Sequence, residues 1–178
     1  MNWSEDLKNQ IPDWAKDIRL NLDNVVNRST IQDSDLVKGI ALASAIASGN
    51  ATVIQTILTD FDNEKERVAA QTASSLMGMN NIWYPYVEMT GDSNLKGLPA
   101  QLRMNAYATH GGTSKGNFEA YALAASIVGK CHFCVKNHYD TLKKEGFTVE
   151  QLRDLGRIAS VINAVTKVIN VPSLSTSF

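Results

Sequence analysis

The spacing of the apolar residues is the feature that most restricts the fold of this chain. Apolar side chains recur every three or four residues along most of its length, and no segment alternates as a half-buried strand does. This periodicity predicts an all-α domain. A helix is expected from Asp33 to Ser48, stopped at Gly49-Asn50. A second is expected from Asn63 to Gly78, with acids in its first turn, where the helix dipole favours them.

Capping and breaking residues predict the helices of the second half. Thr148 and Gln151 have the spacing of a capping box, which predicts a last long helix that reaches Ile169. The other expected helices run from Pro99 to a stop at His110-Gly111-Gly112, from a cap at Asn117 to Val128, and from within residues 131–134 to about Lys144.

Length and charge narrow the possible functions. The chain has 178 residues, enough for one domain to bury about 70% of its unfolded surface without disulfide or metal cross-links. We interpret residues 1–178 as a single domain, with an N-terminal extension over 1–30 and a polar tail over 171–178. The 17 basic residues nearly balance the 18 acidic ones, so neither nucleic acid nor an anionic membrane is expected as a partner. A small molecule or another protein is the expected partner.

We expect no targeting segment from the N-terminal sequence. Its first residues, MNWSEDLKNQIPDW, lack the basic start and unbroken apolar stretch of a secretory signal. The most apolar segment, from Leu36 to Ile46, is shorter than the roughly 20 residues that cross a bilayer. We therefore expect a soluble cytoplasmic protein. In that reducing compartment a close cysteine pair is more often catalytic or metal-binding than structural.

Two segments of the chain are similar to each other. The sequence from Ala41, ALASAIASGNATVIQTIL, aligns without gaps with the sequence from Ala122, ALAASIVGKCHFCVKNHYDTL. This alignment places Asn50 and Val53 opposite Cys131 and Cys134. The chain therefore either contains two similar helical halves or has two helices that resemble each other only because both are rich in small residues.

Both cysteines and two of the three histidines lie in the stretch GKCHFCVKNHYD, residues 129–140. The expected helix start places Cys131 and Cys134 at a helix N-terminus, where unpaired backbone N–H groups stabilise a thiolate. Thiols at this spacing share a helix face and can form an easily exchanged disulfide. His138 follows Cys134 by four residues and lies on the same face. An imidazole there could accept the thiol proton near neutral pH.

Glu119 is a second candidate for proton transfer. It precedes a small, apolar segment, residues 121–125, that must pack against another part of the protein. If its helix pairs with the helix of the cysteines, the carboxylate could face the thiols, where burial would raise its pKa. The alternative is a solvated glutamate that only caps a helix.

Two other interpretations of the cysteines remain open at this stage. Cys131, Cys134 and His138 could bind zinc, but a structural zinc site needs four ligands, and the chain has no second cysteine pair. His132 points off the shared face, and His110 lies in a distant loop. A covalent haem signature is excluded, because Val135 rather than histidine follows the second cysteine. Simple burial of two small apolar residues would explain neither their spacing nor His138.

The candidate residues resemble the site of one known family. Glu119, the Cys131-x-x-Cys134 pair and His138 look like the active-site pattern of the AhpD-type alkyl hydroperoxidases, in the carboxymuconolactone decarboxylase-like superfamily. Other stretches that look like that family at matching separations are Met77-Gly78-Met79-Asn80-Asn81, Leu102-Arg103-Met104-Asn105 and Asn117-Phe118-Glu119. The resemblance covers residues 33–169 and leaves out the first thirty residues and the tail.

The resemblance implies an all-helical, usually trimeric protein with no tightly bound cofactor. Such proteins take electrons from a lipoylated dihydrolipoamide acyltransferase and pass them to a peroxiredoxin, with weak direct peroxidase activity. By position, Cys131 and Cys134 would be the redox pair, and Glu119 and His138 would be the proton relay that activates Cys134. The peroxide substrate and the physiological electron donor do not follow from the sequence.

One departure from the family pattern limits the transfer of roles. The family often has a histidine immediately before the second cysteine, whereas Phe133 occupies that position here and the histidine is one residue earlier. One residue turns a helical side chain by about 100°, so the role is not transferred to His132. The alternatives to a thiol oxidoreductase are a decarboxylase-type enzyme of the same superfamily, which does not depend on a cysteine pair, and a non-catalytic helical scaffold.

Overall fold

A computed structural model of the chain describes residues 2–172, so the predicted tail lies outside the described residues from position 173 onward. Every regular element in this range is helical, which confirms the all-α prediction. The α-helices are α1 (Asn2–Gln10), α2 (Lys16–Asn27), α3 (Ser34–Ser48), α4 (Ala51–Thr59), α5 (Glu64–Thr90), α6 (Ser93–Gly97), α7 (Asn105–Ala108), α8 (Lys115–Val128), α9 (His132–Lys144) and α10 (Val149–Ile169), with 3₁₀ turns at Asp13–Ala15 and His110–Gly112.

Several helix ends were predicted correctly from local sequence. The Asp33 carboxylate caps α3, and Gly49 ends that helix in the left-handed conformation, with φ 77°. The predicted capping box forms at the start of α10, where Thr148 and Gln151 satisfy each other's backbone N–H groups. Helix α9 begins inside the cysteine motif, at His132, and ends at Lys144 as expected.

Helix α5 is longer than predicted. It was expected to end at Gly78, but it continues through Gly78 and Pro85 to Thr90 and ends at Gly91, whose φ is 63°. A glycine inside a helix costs only about 1 kcal/mol relative to alanine. Packing of α5 against α3 and α8 buries one face of the helix and outweighs that cost. The longer helix brings Asn80 to Cys134 and Asn81 to the turn that precedes the cysteines.

The predictions for the segment before α8 were wrong in two respects. No helix starts at Pro99: only the four-residue α7 forms, followed by a 3₁₀ turn in which His110, Gly111 and Gly112 all have positive φ. Successive left-handed residues cannot continue a helix. The cap of α8 is the Ser114 hydroxyl rather than the Asn117 side chain, because the Asn117 amide donates instead to a carboxylate on α5.

The core forms where α3, α5, α8 and α10 pack together, and α1 and α2 contribute to it. Trp3, Leu7 and Leu22 are fully buried, although the family resemblance did not extend to this part of the chain. The connection to α3 is held by Asp154 on α10, whose carboxylate accepts hydrogen bonds from the backbone N–H and the hydroxyl of Thr30. No helix within residues 2–172 combines the length and apolarity needed to cross a membrane.

The two similar segments form helix pairs with similar turns. Asn50 caps α4 by accepting a hydrogen bond from the N–H three residues later, and Cys131 caps α9 in the same way through its sulfur. The preceding residues, Gly49 and Lys130, both have positive φ, 77° and 56°. Helix α3 packs against α8. The α3–α4 and α8–α9 pairs are therefore alike in turn geometry as well as in sequence.

Candidate active site

The two cysteines form a disulfide at the N-terminus of α9. Their Cα atoms are 5.3 Å apart, and the Cys131 sulfur accepts the backbone N–H of Cys134 at 3.2 Å. Cys131 is fully buried and Cys134 is 4% exposed, whereas His132 and Phe133 between them face solvent. The structure thus brings the predicted pair together as expected and leaves His132 outside it.

The turn that leads into the cysteine motif is fixed by a close contact with α5. Gly129 lies so near Asn81 that a Cβ atom on the glycine would be 2.3 Å from the Asn81 Nδ2 atom. The same Nδ2 donates a hydrogen bond to the Ala125 carbonyl oxygen at 3.1 Å, at the end of α8. This contact ties the α8–α9 turn to α5 and therefore positions the disulfide.

Glu119 and His138 form the second part of the site. The His138 Nδ1 atom lies 2.6 Å from the Glu119 Oε2 atom, and both residues are buried. The other carboxylate oxygen, Oε1, accepts a short hydrogen bond from the Tyr107 hydroxyl. Since α8 begins at Lys115, Glu119 lies in its second turn and only 2% of it is exposed. A solvated helix cap is therefore excluded.

The charge state of Glu119 differs from the sequence-based expectation. Burial raises the pKa of its carboxyl, but hydrogen bonds with His138 and Tyr107 outweigh this effect and bring the pKa below its usual value. A raised pKa was predicted, and that prediction was wrong because these two partners could not be located from the sequence. Burial and the hydrogen bond to Glu119 raise the pKa of Tyr107, which keeps its hydroxyl proton. Glu119 is thus an ionised acceptor at neutral pH.

Helix α5 supplies the opposite wall of the site. The Met77 Sδ atom lies 3.2 Å from His138 Nε2, and the Asn80 carbonyl oxygen lies 3.9 Å from the Cys134 sulfur. His138 follows Cys134 by one turn on the buried face of α9. Helix α5 therefore contacts both His138, through the Met77 side chain, and Cys134, through the Asn80 carbonyl oxygen.

An open groove borders the exposed side of the cysteine motif. It has a volume of about 830 Å³ and lies between the C-terminal part of α5, α6 and the first turn of α9. Phe133 stacks on Tyr84 at its edge, with ring centroids 4.4 Å apart. Phe133 thus takes part in an aromatic contact at the position where the family often has histidine.

The remaining histidines do not join the cysteines. His110 lies in the 3₁₀ turn beside the rings of Tyr107 and Phe118. Within residues 2–172, no group of three or more His, Cys, Asp or Glu side chains is arranged to hold a metal ion. The arrangement as it stands suits thiol–disulfide exchange with proton transfer, because it places a disulfide at a helix N-terminus beside a carboxylate–imidazole pair.

Sequence comparisons define the class of the protein. The carboxymuconolactone decarboxylase family matches residues 95–171, the segment that includes Glu119, both cysteines and His138. This match covers less than half of the chain and indicates that the class is that of the carboxymuconolactone decarboxylase-like proteins.

Full-length relatives define the family more narrowly. The alkyl hydroperoxide reductase AhpD of Rhodospirillum centenum is 38% identical over 169 residues, which cover 93% of this chain and 90% of that protein. The AhpD protein of Coxiella burnetii is 39% identical over 166 residues, with 90% and 93% covered, and that of Maricaulis maris is 36% identical over 170 residues, with 94% and 97% covered. The chain belongs to the AhpD family.

Proposed function

We propose that this protein is a thiol-dependent alkyl hydroperoxide reductase. In the proposed cycle the reduced pair, Cys131 and Cys134, transfers two electrons to a hydroperoxide, which yields an alcohol, water and the disulfide. The observation that supports this most directly is the buried disulfide beside the hydrogen-bonded Glu119–His138 pair. The names of the relatives support the same reaction, since all three of those described above are named alkyl hydroperoxide reductases, at 36–39% identity.

Glu119 and His138 have different roles in this proposal. His138 accepts the proton of Cys134 and turns the thiol into a nucleophilic thiolate. Glu119 stays ionised, because its pKa is lowered, and it orients the imidazole through Nδ1. Tyr107 holds the other carboxylate oxygen and fixes the direction of the pair. The relay thus consists of one proton carrier and one fixed anion rather than two exchanging groups.

The proposed electron path is a relay between proteins. A lipoylated dihydrolipoamide acyltransferase reduces the disulfide, and the dithiol passes the electrons to a peroxiredoxin in the cytoplasm, with weak direct peroxidase activity besides. No tightly bound cofactor is needed, since the dithiol group belongs to the partner. The groove beside Phe133 offers this partner an approach along the first turn of α9.

We also propose that the protein is a homotrimer, as the family resemblance implies. The small residues of α3 and α8 do not support this, because Ala41, Ala43 and Ala122 are fully buried within the single chain. Exposed apolar side chains on and after the C-terminal half of α5 support it better. Examples are Ile82, 72% exposed, and Met89, 79% exposed.

A turnover assay tests the proposed reaction and its electron donor. Pure protein is mixed with an organic hydroperoxide and either reduced lipoamide or reduced thioredoxin, and hydroperoxide loss is followed. We expect turnover with lipoamide, and we expect Cys131→Ser and Cys134→Ser each to abolish it while the far-UV spectrum stays helical. Substantial turnover by either single variant would contradict a disulfide cycle.

A further inference from the structure

A second buried glutamate lies outside the site described above. Glu66, in the first turn of α5, is only 9% exposed. Its Oε1 atom accepts a short hydrogen bond from the Thr113 hydroxyl. Its Oε2 atom accepts hydrogen bonds from the Tyr121 hydroxyl at 2.6 Å and from the Asn117 amide at 3.2 Å. Three side chains from one short stretch of the chain, residues 113–121, therefore converge on this carboxyl group.

These hydrogen bonds fix α8 against α5. Asn117 and Tyr121 are four residues apart and lie on the same face of α8, so a carboxyl group that bonds both fixes the rotation of that helix and its position along the axis. Glu119 lies between them in the chain, about 200° around the helix from Asn117. It therefore faces away from Glu66, on the side of α8 where its own two partners contact it.

The turn that leads from Tyr107 to α8 is also held by α5. Residues 110–112 all have positive φ, and the first of them is a histidine. A residue other than glycine keeps this conformation only where the surrounding structure imposes it. A Cβ atom on Gly111 would lie 2.8 Å from the Ala69 Cα atom, so the turn lies directly against α5. The hydrogen bond from Thr113 fastens the end of the same turn.

We infer that Glu66 is a positioning residue of the redox site, which it serves from a distance. About 16 Å along α5 separate it from Met77, which contacts His138. Glu66 fixes α8 and the preceding turn, and these two elements bring the Tyr107 hydroxyl and the Glu119 carboxylate together. The inference rests on the proposed function, in which this contact fixes the direction of the carboxylate–imidazole pair.

The role inferred for Glu66 depends on accepting hydrogen bonds and not on carrying a proton. In Glu66→Gln the amide oxygen can accept the hydrogen bonds of Asn117 and Tyr121, and the amide N–H can donate to the Thr113 hydroxyl oxygen. Glu66→Ala removes all three contacts. The two variants should therefore differ, whereas at Glu119 the change to glutamine alone should already stop proton transfer.

Nuclear magnetic resonance of the oxidised protein tests the inference without any turnover. The Cζ shift of labelled tyrosine reports the hydrogen bond of each hydroxyl, and Tyr107→Phe identifies one signal among the five tyrosines. Glu119→Ala, which lacks the acceptor, gives the position of the Tyr107 signal without its hydrogen bond. In Glu66→Ala we expect this signal to move at least halfway to that position, and in Glu66→Gln to stay near its wild-type position. An unmoved signal in Glu66→Ala would overturn the inference.

A milder variant keeps the test decisive if Glu66→Ala does not fold. Thr113→Val keeps the shape of the side chain and removes only the hydroxyl that bonds Glu66. It should move the Tyr107 signal in the same direction by a smaller amount. Thr72→Val is the matched control, since the Thr72 hydroxyl donates within α5, to the Val68 carbonyl oxygen. If Thr113→Val moves the signal no more than Thr72→Val does, the inference is wrong.

Turnover with lipoamide and an organic hydroperoxide then relates position to rate. Glu66→Ala should lose about tenfold in kcat with little change in KM, because displacing a functional group by about 1 Å costs up to roughly a hundredfold in rate. In a Tyr107→Phe background the same change should cost at most about threefold, since the contact that it disturbs is already absent. A full tenfold loss there would contradict the inference. Because the resonance measurements use resting protein, absence of wild-type turnover would refute the peroxidase proposal alone.

Discussion

Gly129, in the turn before the cysteine pair, should not tolerate even one added methyl group. Its φ of −72° and ψ of −8° are ordinary helical values, so alanine would adopt them without strain and gain up to about 1 kcal/mol in helix propensity. The added Cβ, however, would lie 2.3 Å from Nδ2, 2.6 Å from Cγ and 2.8 Å from Cβ of Asn81. The whole amide group is in the way, not only its tip.

The expected cost follows from what Asn81 would have to give up. Asn81 is 7% exposed, and its Nδ2 donates to the Ala125 carbonyl oxygen at 3.1 Å, so it cannot rotate away freely. Overpacking of this kind costs about 1–3 kcal/mol, and a lost internal hydrogen bond about 1 kcal/mol. After the propensity gain, we expect Gly129→Ala to lose about 2 kcal/mol in free energy of unfolding.

Urea unfolding followed by circular dichroism, at one fixed protein concentration, measures this loss. Gly78→Ala is the matched control, since Gly78 is exposed within α5 and a Cβ there would meet nothing within 4 Å. It should be as stable as the wild type or more stable by up to about 1 kcal/mol. The double variant Asn81→Ala/Gly129→Ala should lose less free energy of unfolding than the two single variants lose when their losses are added. Wild-type stability of Gly129→Ala would refute the reasoning.

Two other predictions concern stability and assembly. Burial raises the pKa of Asp154, but hydrogen bonds from Thr30, Arg153 and Arg157 outweigh this and hold it well below its usual range. Because the pKa of Asp154 is lower in the folded state, its ionised carboxylate stabilises the fold at pH values above the unfolded pKa of ~3.9. This stabilisation is lost as the pH falls through the folded pKa. We therefore expect Asp154→Asn to lower the free energy of unfolding by about 1.5–3 kcal/mol at pH 7. Urea unfolding at pH 7 and in acid measures the difference in stability between the variant and the wild type. A difference that does not narrow in acid would count against this prediction. Light scattering at micromolar concentration should report a trimer, and a monomer would remove that proposal.

The parts of the fold that local sequence determines could be predicted. The capping box of Thr148 and Gln151 involves residues three apart, and the start of α9 depends on Cys131 and the residues beside it. The end of α5 could not be predicted in this way, because Gly78 and Pro85 are helix breakers only where tertiary packing does not compensate.

The site shows the same division. Cys131, Cys134 and His138 lie within eight residues, so helical spacing alone placed them on one face. Tyr107 gave no signal, because an irregular segment with three left-handed residues separates it from Glu119 and determines their contact. The pKa of Glu119 was predicted in the wrong direction for the same reason, since its donors come from α7 and α9. Met77 belongs to a motif that the family resemblance includes, but its contact with His138 spans 61 positions of the chain.

The central claim is that the Glu119–His138 pair removes the proton of Cys134 during hydroperoxide reduction. The most direct test is the pH dependence of lipoamide-dependent turnover in Glu119→Gln and His138→Asn, with Glu64→Gln at an exposed position as the control. We expect both variants to lose roughly a hundredfold in rate at pH 7 and still form the disulfide. The rate should recover in part toward pH ~8.5, where an unassisted thiol ionises. Wild-type rates in both variants at pH 7 would contradict the proposed relay.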